Sequence, residues 1–356
     1  MELLQEKCLR LLICASLLLV LVCALPAAAW ERGPVFRFAT LPAGSTGPEG
    51  LTVGSDGNVY VTTFGFNNRG PVTGTGQLFV FTPGGHLIRQ VSIAGSSPHL
   101  LGLAFNPVTG DLIVLDFGNS KALKVDPVSG ASSVFMTVTG AAGLNALTFD
   151  EQGNVYVSDS FQGIIWKTSS SGGAGTAWVT NTLLTTTGIP PFGANGIVFN
   201  SDRSAMFVAN TGNDTIVKIP VTNGTPGTPA VFVNSINGAD GIAIDKHDNL
   251  WVAANQEDEI VVLDTTGKVI AKLGDFGGIA GDGGPRGLLF PASPAFSADG
   301  RWLYVTNLSL DLRVPGLALP QAMDSQWAGA VTRYTISKIP ATIPFVSSHA
   351  AGGATE

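Results

Sequence analysis

The sequence predicts an all-β fold, a six-bladed β-propeller with four-stranded blades whose ring is closed when an N-terminal strand joins the last blade. Three observations predict it. A unit of two short period-2 strands around an Asp/Asn/Gly turn recurs six times. The copies are 44 to 53 residues apart, the length of a four-stranded blade. One strand at the N-terminus has no unit before it.

In chain order, residues 1–29 read as a secretory signal peptide. Lys7 and Arg10 precede the apolar run of residues 11–25, and small residues at Ala27 and Ala29 suit cleavage before Trp30. The run is short for a membrane span. All three cysteines (Cys8, Cys14 and Cys23) lie within residues 1–29, so the mature chain is expected to have no disulfide, cysteine-ligated zinc or thiol nucleophile. A periplasmic or secreted protein follows, with no membrane partner after cleavage.

Residues 30–340 carry the propeller. Residues 35–41, "VFRFATL", form the strand expected to complete the last blade, because closure removes two exposed sheet edges. The inner hairpins then begin at "PEGLTVGSDGNVYVTTF" (Pro48), "LLGLAFNPVTGDLIVLDF" (Leu100), "LNALTFDEQGNVYVSDS" (Leu144), "ANGIVFNSDRSAMFVAN" (Ala194), "ADGIAIDKHDNLWVAAN" (Ala239) and "ASPAFSADGRWLYVTN" (Ala292). Third and fourth strands follow each, such as "DTIVKIP" and "PAVFVNSI" after the fourth hairpin. The sixth blade's third strand is expected in "AVTRYTI" from Ala330. Insertions at residues 64–77, 277–293 and 308–329 exceed what a hairpin needs. The last is expected to form a short helix or a lid over one face. Residues 341–356 read as a disordered tail.

Charged residues are scarce at 13% and the net charge is −7 with no basic cluster, which excludes a nucleic-acid partner. The oligomeric state is not readable. The sequence has no G-x-S-x-G, H-E-x-x-H or P-loop pattern.

In a propeller the innermost strands converge on the axis. The residues at their starts are Glu49, Leu101, Asn145, Asn195, Asp240 and Ser293, at intervals of 52, 44, 50, 45 and 53. Glu49, Asn145, Asn195 and Asp240 are hard oxygen donors suited to one divalent ion, most naturally Ca²⁺, with Mg²⁺ or Mn²⁺ also compatible. The competing reading is that polar residues at strand starts satisfy turn backbone. Asp116, Asp159, Asn210 and Asn255, just after second strands, are assigned that capping role. Near the presumed mouth, His99 is a candidate proton carrier, and Arg286 could meet an acidic substrate group.

The motifs "PEGL", "NGIVFNSDRSAMFVANT" and "DGIAIDKHDNLWVA" resemble the senescence-marker-protein/gluconolactonase (regucalcin-like) family. The resemblance implies a six-bladed propeller with a central metal held by Glu49, Asn195 and Asp240, with Asn145 nearby. It also implies hydrolysis of a small-molecule lactone or ester, with Asp240 as general base and Asn145 orienting substrate. Where substrate-binding members carry Arg and Asp beside the third-blade Asn, this chain has Gly143 and Ala146, so the polyol contacts are missing. "GDGGPRGLLFPASPAFSADGRWLYVTN" resembles an NHL repeat, which implies the alternative: a non-catalytic propeller binding a protein, peptide or glycan, with any metal purely structural.

Overall fold

A computed structural model describes residues 31–319 and 325–343. The expected signal peptide lies outside the described residues, as does all of the expected tail from residue 344 onward. Among the described residues no helix is long and apolar enough to cross a membrane.

The chain is all-β. Strands pair antiparallel in sequence order, as short alternating segments separated by Gly and Asn/Asp turns must. The first run is Pro48–Val53, Val59–Thr63, Gln77–Phe81 and Leu87–Ser92. The second is Leu100–Phe105, Leu112–Asp116, Lys121–Val125 and Ser132–Thr137. The third is Leu144–Phe149, Val155–Asp159, Ile164–Ser169 and Gly172–Thr180, and it joins the second through a parallel pairing of Met136 and Thr137 with Gly173 and Ala174. The fourth is Ala194–Phe199, Ala205–Asn210, Thr215–Thr222 and Ala230–Val233. The fifth is Ala239–Ile244, Leu250–Ala254, Glu259–Leu263 and Val269–Leu273. The sixth is Pro291–Phe296, Trp302–Asn307 and Thr335–Pro340, with Phe36–Thr40 on its outer edge.

Apolar side chains interlock between successive runs. Ile113, Phe135, Val155 and Trp166 fill the space between second and third, and Phe207, Ile216, Leu250 and Val261 that between fourth and fifth. Phe38 and Tyr304 of the sixth run share a cluster with Val59 and Phe81 of the first. Their rings sit 4.4 Å apart between Phe38 and Tyr304 and 6.4 Å between Phe38 and Phe81.

Two expectations are corrected. The sixth run's third strand is Thr335–Pro340, starting five residues after Ala330. Val331 and Tyr334 are buried, but they pack against Phe38 and Leu289 from an irregular segment instead of joining the ladder. The sixth residue equivalent to Glu49 is Ala292, one before Ser293. Pro291 pairs with Asn307 as Pro48 pairs with Thr63, and each inner strand has a ladder irregularity immediately afterwards. Within the last long insertion, residues 325–328 form a single helical turn.

Candidate metal centre

The inner strands bring Glu49, Leu101, Asn145, Asn195 and Asp240 around one small cavity of about 30 Å³. All five are buried, none more than 5% exposed. The inner strands come this close because the next residue along each is small: Gly50, Gly102, Ala146, Gly196, Gly241 and Ser293. A Cβ at Gly102 would stand 2.6 Å from the Asn145 carbonyl oxygen, and one at Gly241 would stand 2.5 Å from that of Ala292. Below this layer, Leu51, Leu103, Leu147, Ile197, Ile242 and Pro294 line a second, separate cavity.

Hydroxyls at or just past the ends of the second strands hold the inner strands from behind. Thr62 Oγ1 donates to Leu101 O (2.6 Å), Ser160 Oγ to Ala194 O (2.8 Å), Thr211 Oγ1 to Ala239 O (2.8 Å) and Thr306 Oγ1 to Glu49 O (2.8 Å). A hydroxyl whose proton is spent on a carbonyl can only accept from a side-chain amide. Accordingly, Asn145 Nδ2 donates to Ser160 Oγ (3.1 Å) and Asn195 Nδ2 to Thr211 Oγ1 (2.9 Å). Each amide is thereby oriented with its oxygen as the end left for the cavity.

The residue at the Ser160 and Thr211 position in the fifth run is Asn255, which also lines the cavity. Its Nδ2 donates to Asp240 Oδ2 (3.0 Å), so the capping role assigned to it is a correction. The hairpin turn before it is one residue shorter than in the fourth run: Ile244 pairs with Leu250, whereas Phe199 pairs with Met206. The true cap counterparts keep their expected role. Asp116 accepts from Ser97 N–H and Asn119, Asp159 from Gly143 N–H and Trp166, and Asn210 donates to Leu183 O and Thr185 O.

Three buried oxygens here have no hydrogen-bond partner: Glu49 Oε2, Asp240 Oδ1 and Asn255 Oδ1. Burial, and then the neighbouring Asp240 charge, holds the Glu49 carboxyl well above its usual range. Burial pushes Asp240 up to about 7, against the opposing pull of hydrogen bonds from Asn255, Asn195 and the Gly241 N–H. Buried, unpaired acceptors of this kind are costly unless a cation or proton satisfies them. Two carboxylates with amide oxygens around them are the donor set of a hard divalent ion. Among the described residues no cluster of three or more His, Cys, Asp or Glu offers a competing site.

The upper wall differs in character. Phe64, Leu101, Phe192, Phe290, Leu308 and Leu310 face the polar floor. The long insertions supply Phe64, Phe290, Leu308 and Leu310, which the sequence could not assign to a common place. His99 stands outside the cavity lining, its Nδ1 2.7 Å from Phe64 O and its ring 5.2 Å from that of Phe66. Arg286 is exposed on the two-stranded ribbon of Phe276–Ile279 and Pro285–Gly287. The structure therefore brings Glu49, Asn145, Asn195 and Asp240 together and leaves His99 and Arg286 apart from them.

Comparison with known proteins adds the following. A model of the SMP-30/gluconolactonase/LRE-like region matches residues 192–274, and a model of the strictosidine synthase-like N-terminal region matches residues 36–64. No curated protein matches the sequence. Among solved structures, a gluconolactonase from Xanthomonas campestris aligns with a TM-score of 0.60 at 12% identity, covering 88% of this chain and 91% of its own. Regucalcin from Agrobacterium tumefaciens strain C58, described as a calcium-binding protein, aligns at 0.58 and 16%, covering 86% and 97%. A streptogramin B lyase aligns at 0.55 and 16%, covering 88% and 99%. At these identities the likeness is one of fold, and the same fold carries both hydrolase and lyase descriptions. The chain is thus similar to the SMP-30/gluconolactonase family, in sequence over residues 192–274 and in fold over most of its length.

Proposed function

We propose that the protein is an exported, divalent-metal-dependent hydrolase of lactone or ester bonds. The observation that carries this reading is the pair of buried carboxyls lining one cavity, each with an oxygen that has no hydrogen-bond partner, Glu49 Oε2 and Asp240 Oδ1. Glu49, Asp240 and the amide oxygens of Asn145 and Asn195 would hold the ion, most naturally Ca²⁺, with Asn255 orienting Asp240. Such an ion, when bound, polarises an ester carbonyl and stabilises its developing oxyanion. Asp240 takes the proton from an attacking water. The water oxygen bonds to the acyl carbon, the acyl–oxygen bond breaks, and the proton returns to the leaving alkoxide, giving a hydroxy acid from a lactone. Asn145 and Asn195, braced by Ser160 and Thr211, keep donors and substrate in register.

We read the molecule as a six-bladed propeller closed by the N-terminal strand. In support, Phe36–Thr40 pairs with Thr335–Pro340, inner strands are in contact from each run to the next, and the sixth inner strand also contacts the first. Export rests on the charged and apolar pattern of residues 1–29.

A second reading keeps the ion but not the chemistry: a non-catalytic, NHL-like binding propeller with a structural metal. The apolar residues over the cavity favour it, since Phe290, Leu308 and Leu310 leave little room above the polar floor. Metal content of the purified protein, followed by a lactone and ester panel with and without chelator, separates the two. Stoichiometric divalent metal and chelator-sensitive hydrolysis, both lost in Asp240→Ala, are expected. Metal without hydrolysis favours the structural reading, and a metal-free protein indifferent to chelator overturns both.

A further inference from the structure

The polar floor of the cavity explains how an ester carbonyl is gripped, but not which ester. The wall opposite it does. Phe64, Leu101, Phe290, Leu308 and Leu310 are each no more than 5% exposed, and Phe192 is half-buried beside them. Their side chains offer no hydrogen-bond donor or acceptor. Three backbone amides of this wall are also committed: Phe64 N–H donates to Gly47 O (2.9 Å), Phe192 N–H to Pro190 O (2.8 Å) and Leu308 N–H to Phe290 O (3.1 Å).

Outward from Phe64 the apolar surface continues. Phe117 lies 5.7 Å from Phe64 and 6.1 Å from Phe192 between ring centroids, and Phe161 stacks on Phe192 at 6.1 Å. Phe161 is 49% exposed, so this aromatic run reaches solvent from the cavity wall. These rings also exclude a polar side chain from below. A Cβ at Gly143 would stand 2.8 Å from Phe161 and 3.0 Å from Phe117.

We infer, resting on the hydrolase reading, that the substrate is an ester or lactone carrying an apolar alkyl chain, its carbonyl on the Glu49–Asp240 floor and its chain along Phe64, Phe192 and Leu310 toward Phe161. A polyol in the same place would leave its hydroxyls without partners, a loss larger than its shape could recover. An alkyl chain gains from each methylene removed from water. The cavity itself admits only a small group, so most of the chain lies along the aromatic run and the gain saturates once it reaches the exposed Phe161 ring.

The test uses γ-lactones of four, six, eight and ten carbons beside glucono-1,5-lactone, with the metal-loaded protein. We expect kcat/KM to rise by about fourfold for each of the first buried methylenes and to level off by about ten carbons, with glucono-1,5-lactone the poorest substrate. Leu310→Asn and Phe192→Ser flatten that dependence. The corresponding alkyl γ-lactams, which resist hydrolysis, are titrated calorimetrically in parallel. Hydrolysis that ignores chain length or favours the polyol overturns this inference and leaves the hydrolase reading standing. No hydrolysis, with lactam affinity still rising with chain length, overturns the hydrolase reading and supports the ligand class. Lactams that fail to bind overturn the inference in either case.

Discussion

Asp240 is held between two demands: its Oδ2 accepts from Asn255, while its Oδ1 is buried with no protein donor. Removing its charge while keeping its shape isolates the second demand. Asp240→Asn is expected to weaken calcium binding by at least about 100-fold in titration calorimetry, because one of two carboxylates is lost. Asn255→Ala, which removes the donor orienting Asp240, is expected to cost about 10- to 100-fold. Calcium affinity unchanged in both would place the ion elsewhere. The same carboxyls make the metal-free protein pH-sensitive. Their values in the folded chain are raised, Asp240 to about 7, against about 4 when unfolded. Folding then binds protons. The associated stability is full below about pH 4 and is lost as pH rises toward 7. In chelator, Tm is expected to fall by several degrees between about pH 5 and pH 8. With calcium the fall should shrink or reverse, since deprotonated ligands bind metal better. A metal-free Tm that climbs over that interval would contradict the assignment of buried, unpaired carboxyls. Charge and residue type at these positions were legible in the sequence because a repeat exposes equivalent positions. Asn255 was not, because a hairpin turn one residue shorter moves it from the cap position to the cavity wall.

At the scale of elements, the inner strand works as a pair of adjacent positions: an oxygen-bearing or apolar residue, then a residue small enough for the neighbouring strand's carbonyl. Gly241→Ala puts a methyl 2.5 Å from Ala292 O, where backbone must shift. A cost of about 1–3 kcal/mol is expected in chemical denaturation, and calcium affinity should fall with it as Asp240 next door moves. Thr306→Val keeps shape but removes the hydroxyl that donates to Glu49 O and accepts from Ser293 N–H. Each buried group left unpaired costs about 1–3 kcal/mol. If both variants melt like the parent, the close packing of inner strands does not carry the stability assigned to it. Strand periodicity and turn residues made the hairpins readable, since local alternation alone specifies them. The third strand of the sixth run was misplaced because Val331 and Tyr334 alternate as strand residues do while burying into tertiary contacts. The aromatic wall was unreadable for a different reason. Phe64, Phe117, Phe161 and Phe192 come from separate connecting segments, and only the spatial arrangement of the runs brings them together.

For the whole molecule, the join between first and last runs decides whether the rest holds. Phe36–Thr40 completes the sixth run at its outer edge, and Phe38 and Leu41 bury in the cluster that also contains Val59 and Phe81 of the first. Arg32 adds an ion pair with Glu259, a residue of the fifth run that is 1% exposed, and Arg37 pairs with Asp282. A short N-terminal stretch therefore ties down three distant parts of the chain. Deleting residues 30–41 would uncover the backbone groups of Thr335–Pro340 and open that cluster, and an unpaired apolar edge invites association with other chains. The expected outcome is a protein that aggregates or melts far below the parent. A synthetic peptide of residues 30–41 added in trans should partly restore its monomer fraction and Tm, because the strand's ladder bonds can be supplied by a separate chain. Aggregation without rescue would mean that the segment is needed during folding but not to hold the finished ring. A truncated protein that stays monomeric with an unchanged Tm would refute closure by the N-terminal strand altogether. In that case the first and last runs must be held by the inner-strand contacts and the Thr306–Glu49 hydrogen bond alone.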